Sequence, residues 1–126
     1  MIVGMGLDLV EIDRVEHMIE SLGDRMYARL FSESEAGYIR NKPLPAQHAA
    51  VRLAAKEAAF KALRTGWRDG LSWHHVEVAS DELGAPLLQL SGHARDLFEQ
   101  LGATHAHLSL SHTSEHAVAQ VIFERR

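Results

Sequence analysis

Two carboxylates from distant parts of the chain are the natural starting point. Asp8 sits in an apolar, glycine-containing segment and Glu57 in an alanine-rich one. Acids brought together in this way can share one hard cation and leave positions open for water and phosphate oxygens, as magnesium sites commonly do. A plainer alternative is that Glu57 pairs with Lys61 one helical turn later and Asp8 merely turns a strand end. Arg52, Lys56 and Lys61 add three cations to the same stretch. They suit phosphate groups, or else they extend to solvent along their aliphatic stems. Ser109-Leu110-Ser111-His112-Thr113 offers hydroxyls beside an imidazole, a nucleophile and base with no acid in a recognisable triad pattern. The serines equally suit the polar face of a half-buried strand. Nine histidines, among them His74 and His75, raise zinc. With no cysteine and no HExxH, however, they read as surface or packing residues. Neither a Walker A sequence nor GxGxxG is present, so the usual nucleotide cradles are missing.

The elements that must position these groups follow from periodicity. Ile2 to Val10 is aliphatic and alternates as a strand does, with Gly4, Gly6 and Asp8 on one face and Val3, Met5, Leu7 and Leu9 on the other. The glycines let something approach the backbone beside Asp8. Asp13 and Glu16 have capping-box spacing ahead of a helix with the stripe Val15, Met18, Ile19 and Leu22, stopped by Gly23. Ser32 and Glu35 form a second such box before a short helix. Asn41 to Pro45 reads as a short linker. From Gln47 to Leu63 the chain is helical and apolar on almost every side, which marks a buried helix. A β-hairpin is expected across Val76 to Leu90, turning at Asp81 to Pro86. A helix capped by Ser91 then carries Ala94, Leu97, Phe98 and Leu101. Two strands close the chain, His105 to Ser111 and Ala117 to Phe123. The fold class is α+β, a mainly antiparallel sheet packed around a long buried helix, in a single domain over residues 1–126.

Bulk properties narrow the function. At 126 residues the core is modest, so self-association would help. The net charge of −4 gives no basic field for nucleic acid. No apolar run is long enough to span a bilayer, and the N-terminus reads as a strand rather than a leader. A cytoplasmic protein fits these features.

As a set, these segments resemble holo-acyl-carrier-protein synthases of the 4'-phosphopantetheinyl transferase superfamily. Gly6-Leu7-Asp8-Leu9-Val10-Glu11-Ile12 is similar to their opening motif. Arg52-Leu53-Ala54-Ala55-Lys56-Glu57-Ala58, followed by Lys61-Ala62 and Thr65-Gly66, is similar to their signature helix. Gly84-x-Pro86 and Ser109-Leu110-Ser111-His112-Thr113 with Ala117-Val118-Ala119 complete the likeness in order along the chain. Leu53 replaces the usual Phe, and the Trp67-Arg68-Asp69-Gly70 loop is less typical. Larger members carry a second acid where this chain has Val10, so the resemblance is to the short, self-associating class.

The resemblance implies transfer of phosphopantetheine from coenzyme A to a serine of apo acyl carrier protein. Asp8 and Glu57 would hold Mg2+ on the diphosphate, steadied by Lys61. Arg52, Lys56, Gly66, His112 and Thr113 would line the nucleotide and its 3'-phosphate, and Arg14 and Arg25 would dock the acidic carrier protein. It further implies a homotrimer with active sites between protomers, so that Asp8 and Glu57 need not meet within one chain. Two rival readings are a coenzyme A-binding relative that transfers nothing and an unrelated metal-dependent hydrolase.

Overall fold

The computed structural model describes residues 1–64 and 70–126. Its elements in chain order are β1 (Ile2–Glu11), α1 (Ile12–Leu22), α2 (Asp24–Leu30), α3 (Glu33–Arg40), α4 (Pro45–Ala62), a 3-10 turn at Trp73–His75, β2 (Val76–Ser80), β3 (Pro86–Leu90), α5 (Gly92–Gln100), β4 (His105–His112) and β5 (His116–Glu124). Every strand pairing among the described residues is antiparallel. β1, β5 and β4 form one sheet in that order, and β2 and β3 form the hairpin. The architecture is α+β, as the sequence leads one to expect.

The sheet has two unlike faces. On β1 the inward positions are Gly4, Gly6, Asp8 and Val10, while Met5, Leu7 and Leu9 point outward and are exposed. The register continues the inner face through Ala117, Ala119, Val121 and Phe123 of β5 to Leu108, Leu110 and His112 of β4. Helix α4 lies against this face. The two glycines decide how closely it does so. A Cβ on Gly6 would stand 1.8 Å from the carbonyl oxygen of Ala58, and one on Gly4 would stand 2.2 Å from that of Ala62. Only glycine lets the helix backbone rest on the strand, and that contact brings Glu57 and Lys61 beside Asp8.

α4 is buried on most sides, from Ala49 and Ala50 to Phe60 and Ala62. It begins at Pro45, whose missing N–H costs nothing at a first helical position. The end of the expected linker is therefore already helix. Two further expectations, the side-chain caps at Asp13 and Ser91, are corrected. Asp13 does not cap α1: the N-cap is Glu11, no side chain caps it, and the Ile12 N–H donates to the carbonyl of Glu115 at 2.9 Å. Gly23, at φ 51°, does end α1, but α2 follows at once. Ser91 stands at the N-cap of α5 without a side-chain bond.

The Ser32–Glu35 capping box forms as expected, with the Glu35 N–H donating to Ser32 Oγ at 3.1 Å and the Ser32 N–H to Glu35 Oε1 at 3.0 Å. Glu35 does more than cap. It accepts from Lys56 Nζ at 2.8 Å and from the Val78 N–H at 2.9 Å, tying α3, α4 and the hairpin together through a fully buried ion pair.

Candidate active site

Three expected site residues meet in one chain at the seam of β1 and α4. Lys61 Nζ donates to Asp8 Oδ1 at 2.9 Å and to the Leu7 carbonyl at 3.0 Å. Lys61 is half exposed, whereas Asp8 is 13% exposed. The other Asp8 oxygen, Oδ2, is buried and has no donor while Glu57 is ionised. Glu57 is the second carboxylate. Burial, then hydrogen bonding to Asp8 and the Asp8 charge, push its pKa up to about 7, with Arg14 and Lys61 pulling the other way. The simple helix pair Glu57–Lys61 is thus not what forms, since Lys61 turns to Asp8. Asp8 and Glu57 meet within one protomer.

Two acids pressed together, one with an orphaned oxygen, favour a cation between them. Oxygen ligands of this kind suit magnesium, which needs only one or two carboxylates when substrate oxygens and water supply the rest. The residues therefore fit such an ion, although no group of three or more His, Asp or Glu gathers anywhere among the described residues.

A second cluster lies on the far side of the same helix. At about 100° per residue, Glu57 and Lys61 stand roughly 140° and 180° around α4 from Arg52. The Arg52 guanidinium lies 4.1 Å from the centroid of the Tyr38 ring, its Nε buried and without a partner. Lys42 Nζ is 4.4 Å from that ring, and His48 meets it edge-on at 5.9 Å. Beside this cluster is a groove of about 310 Å³ lined by Tyr38, Arg52, Ser80, Gly84, Pro86 and Ser109, among others. His112 is near enough to His48 for their charges to interact.

The remaining expected residues are placed differently. Lys56 is fully buried, and its three hydrogens are taken by Glu35 and by the carbonyls of Trp73 and Val76. It has no donor left for a ligand, which removes it from the nucleotide set. Thr113 Oγ1 accepts from the N–H groups of Glu115 and His116 at 3.1 and 3.0 Å and shapes the β4–β5 turn. Gly66 lies outside the described residues, as do Thr65 and the stretch from Trp67 to Asp69.

The two expected docking cations part company. Arg14, on α1, interacts with Glu57. Arg25, on α2, borders an apolar groove of about 340 Å³ with Met18, Leu22, Met26, Arg29 and Trp73. Sequence reasoning missed Tyr38, Lys42 and His48. Lys42 was hidden in an apparent linker, and the one available signal for His48 was its position a single turn before Arg52.

Paired acids with a lysine on one side of α4 and an arginine-bordered groove on the other are a donor set of the kind that suits phosphate esters. Known proteins narrow this further. A family profile described as the 4'-phosphopantetheinyl transferase superfamily matches residues 4–121. A holo-[acyl-carrier-protein] synthase from Trichlorobacter lovleyi is 49% identical over 124 residues, 98% of each chain. The crystal structure of the corresponding synthase from Neisseria meningitidis superposes with a TM-score of 0.89 at 29% identity, covering 99% of this chain and 100% of that one. The structure from Bacillus anthracis, in complex with CoA (3',5'-ADP), gives 0.81 at 35% identity, covering 100% and 99%. The chain belongs to the 4'-phosphopantetheinyl transferase superfamily.

Proposed function

We propose that this chain is a holo-[acyl-carrier-protein] synthase, a single catalytic domain that transfers 4'-phosphopantetheine from coenzyme A to a serine of apo acyl carrier protein. The observation that carries the reading is the Asp8, Glu57 and Lys61 group, with one carboxylate oxygen buried and unpartnered. The serine oxygen attacks the phosphorus that bears the pantetheine arm. A new P–O bond forms, the bond to the bridging diphosphate oxygen breaks, and adenosine 3',5'-bisphosphate departs with that electron pair. Asp8 and Glu57 are the residues that would hold Mg2+, which when bound supplies positive charge to the diphosphate. Lys61 presents a fixed ammonium to charge developing on phosphate oxygens, the main demand of phosphoryl transfer. The serine proton passes to a base at this site, the Glu57 carboxylate or a water beside it.

The groove beside Arg52 suits the nucleotide end of coenzyme A, and Arg52, His112 and Thr113 are the described residues proposed to hold it, with Gly66, outside the described residues, completing the proposed set. Arg52 and Glu57 point away from each other in one protomer, so a ligand that touches both must bridge two copies. A head-to-tail contact of this kind closes into a ring when the rotation between copies allows it, and a homotrimer is the ring proposed. The exposed Met5, Leu7 and Leu9, continued by Val118 and Ile122 on the outer face of the sheet, supply an apolar surface for it. The groove between α1 and α2, bordered by Arg25 and Arg29, suits an acidic carrier protein with an apolar ridge, and Arg14 on α1, beside Glu57, is the second docking cation proposed. The proposed setting is the cytoplasm. No helix among the described residues is long and apolar enough to cross a membrane.

Intact-protein mass spectrometry of apo acyl carrier protein, incubated with this chain, coenzyme A and magnesium, tests the reading. The expected result is a gain of one phosphopantetheine that disappears with chelator. Coenzyme A binding with no gain on any carrier protein would leave a binding relative in place of an enzyme.

A further inference from the structure

His48 stands one turn before Arg52 on α4, with its ring edge-on to Tyr38 at 77°. The same phenol ring carries Arg52 and Lys42. The groups that act electrostatically on His48 are Arg52 of its own helix, Lys42 of the segment before it and His112 of β4, all of them basic. Three basic side chains thus gather around one aromatic ring with His112 alongside, and the Arg52 Nε is buried with nothing to donate to. Uncompensated charge of this kind is costly to assemble unless an anion joins it.

Resting on the functional reading above, we propose that His48 is a further binding residue of the coenzyme site, a contact to the ligand's terminal phosphate monoester that gains its proton when the ligand arrives. In the free protein, burial and then the charges of Arg52, Lys42 and His112 hold His48 below the ordinary histidine value, so the ring is neutral near pH 7. A phosphate dianion placed among these cations reverses the local field and favours the imidazolium. Binding then takes up a proton, and affinity rises as pH falls until the free protein's His48 is itself protonated. The gain is bounded by one proton, at most about tenfold per pH unit. Tyr38 orients the ring, so His48→Phe keeps the edge-on packing and removes the imidazole's contact to the phosphate together with its proton.

The test is isothermal titration of coenzyme A into the intact protein and into His48→Phe from pH 8 to pH 6, in two buffers of different ionisation enthalpy. His48→Gln serves as a second variant should His48→Phe fold poorly. The expected result is a wild-type advantage of several-fold that widens as pH falls, with net proton uptake that the variants lack. Comparison at each pH cancels the phosphate's own ionisation. Dephospho-coenzyme A, which lacks the monoester, should bind wild type and variants alike. Parallel affinity–pH curves for wild type and variants with coenzyme A would overturn the proposal and leave the coenzyme site standing. A difference that persists with dephospho-coenzyme A would overturn the assignment to the monoester. Failure of coenzyme A to bind any of these proteins would remove the functional reading itself.

Discussion

Helix α4 carries two lysine–carboxylate pairs of nearly equal length and opposite character. Lys56 meets Glu35 at 2.8 Å and Lys61 meets Asp8 at 2.9 Å. The first pair is closed. Both partners are fully buried, the ammonium has three acceptors, and Glu35 also holds the N–H groups of Ser32 and Val78. Burial pulls the Lys56 pKa down and Glu35 pulls it back up. The second pair is open. Lys61 is half exposed, one Asp8 oxygen has no donor, and a second acid stands alongside with its pKa raised to about 7. A saturated pair specifies structure, because nothing is left over for a ligand. An unsaturated pair kept near the surface retains valence for one.

The largest expected effects separate the two pairs by their readouts. Asp8→Asn should lower phosphopantetheine transfer by about a thousandfold, roughly 4 kcal/mol of transition-state stabilisation, with little change in melting temperature. Lys56→Met should do the reverse. Leaving Glu35 buried and unpaired should cost about 3–5 kcal/mol of stability, while activity per folded molecule largely survives. Pairing it with Glu35→Gln should recover much of that loss, since the amide oxygen can still accept a backbone N–H. Chemical denaturation beside the mass assay checks all three proteins. Should Lys56→Met abolish transfer while remaining fully stable, the division between closed and open pairs would be wrong.

Gly6→Ala probes what both regions share, the seat of α4. With the Ala58 carbonyl 1.8 Å from the new methyl, backbone must move. Overpacking of this kind should cost about 2–3 kcal/mol and should also reduce transfer, because Glu57 and Lys61 ride on the displaced helix. A stability within about 0.5 kcal/mol of wild type would show that the seam is looser than the contact implies.

Much of this was legible in the sequence because it rested on local rules. Alternation placed Asp8 with Gly4 and Gly6, and the glycines announced a close approach. The Ser32–Glu35 spacing gave a true capping box, and the apolar α4 gave the buried axis. What stayed hidden depended on tertiary partners. The i,i+4 spacing that offered Glu57 to Lys61 lost to a strand residue 53 positions away. Lys56 looked like a ligand because only the fold brings Glu35 and two carbonyls to it. The seven-residue α2 has little periodicity to read, and its buried Met26, Tyr27 and Leu30 mark it only after folding. Tyr38 and His48 come from separate helices, so their meeting had no signature in either segment.

The opposite placement of Arg52 and Glu57 on α4 gives a prediction of intermediate size. Asp8→Asn mixed with Glu57→Gln should recover nothing, since the two acids meet within one protomer. Asp8→Asn mixed with Arg52→Ala should recover activity to about a quarter of wild type after random subunit exchange in a ring whose sites take one residue from each neighbour. Recovery in the first mixture would return Asp8 and Glu57 to different chains. Absence of recovery in the second, with exchange verified by native mass spectrometry, would confine the site to a single copy.

The smallest expected effect is the pH dependence that the open pair imposes on stability. The Glu57 pKa is raised in the folded chain, so between its ordinary value near 4.5 and about 7 the folded state binds more proton than the unfolded one. Stability therefore falls as pH rises through that window, and partial exposure keeps the change modest. Glu57→Gln should flatten the profile relative to wild type, by about a few degrees in melting temperature across pH 5 to 7.5. Magnesium reverses the sign, because the carboxyl must lose its proton to bind the ion. Stabilisation of wild type by added magnesium should therefore grow as pH rises past 7 and be much reduced in Glu57→Gln. A magnesium response that is equal in both proteins would take Glu57 out of the cation site and leave Asp8 and Lys61 as an ordinary half-exposed pair.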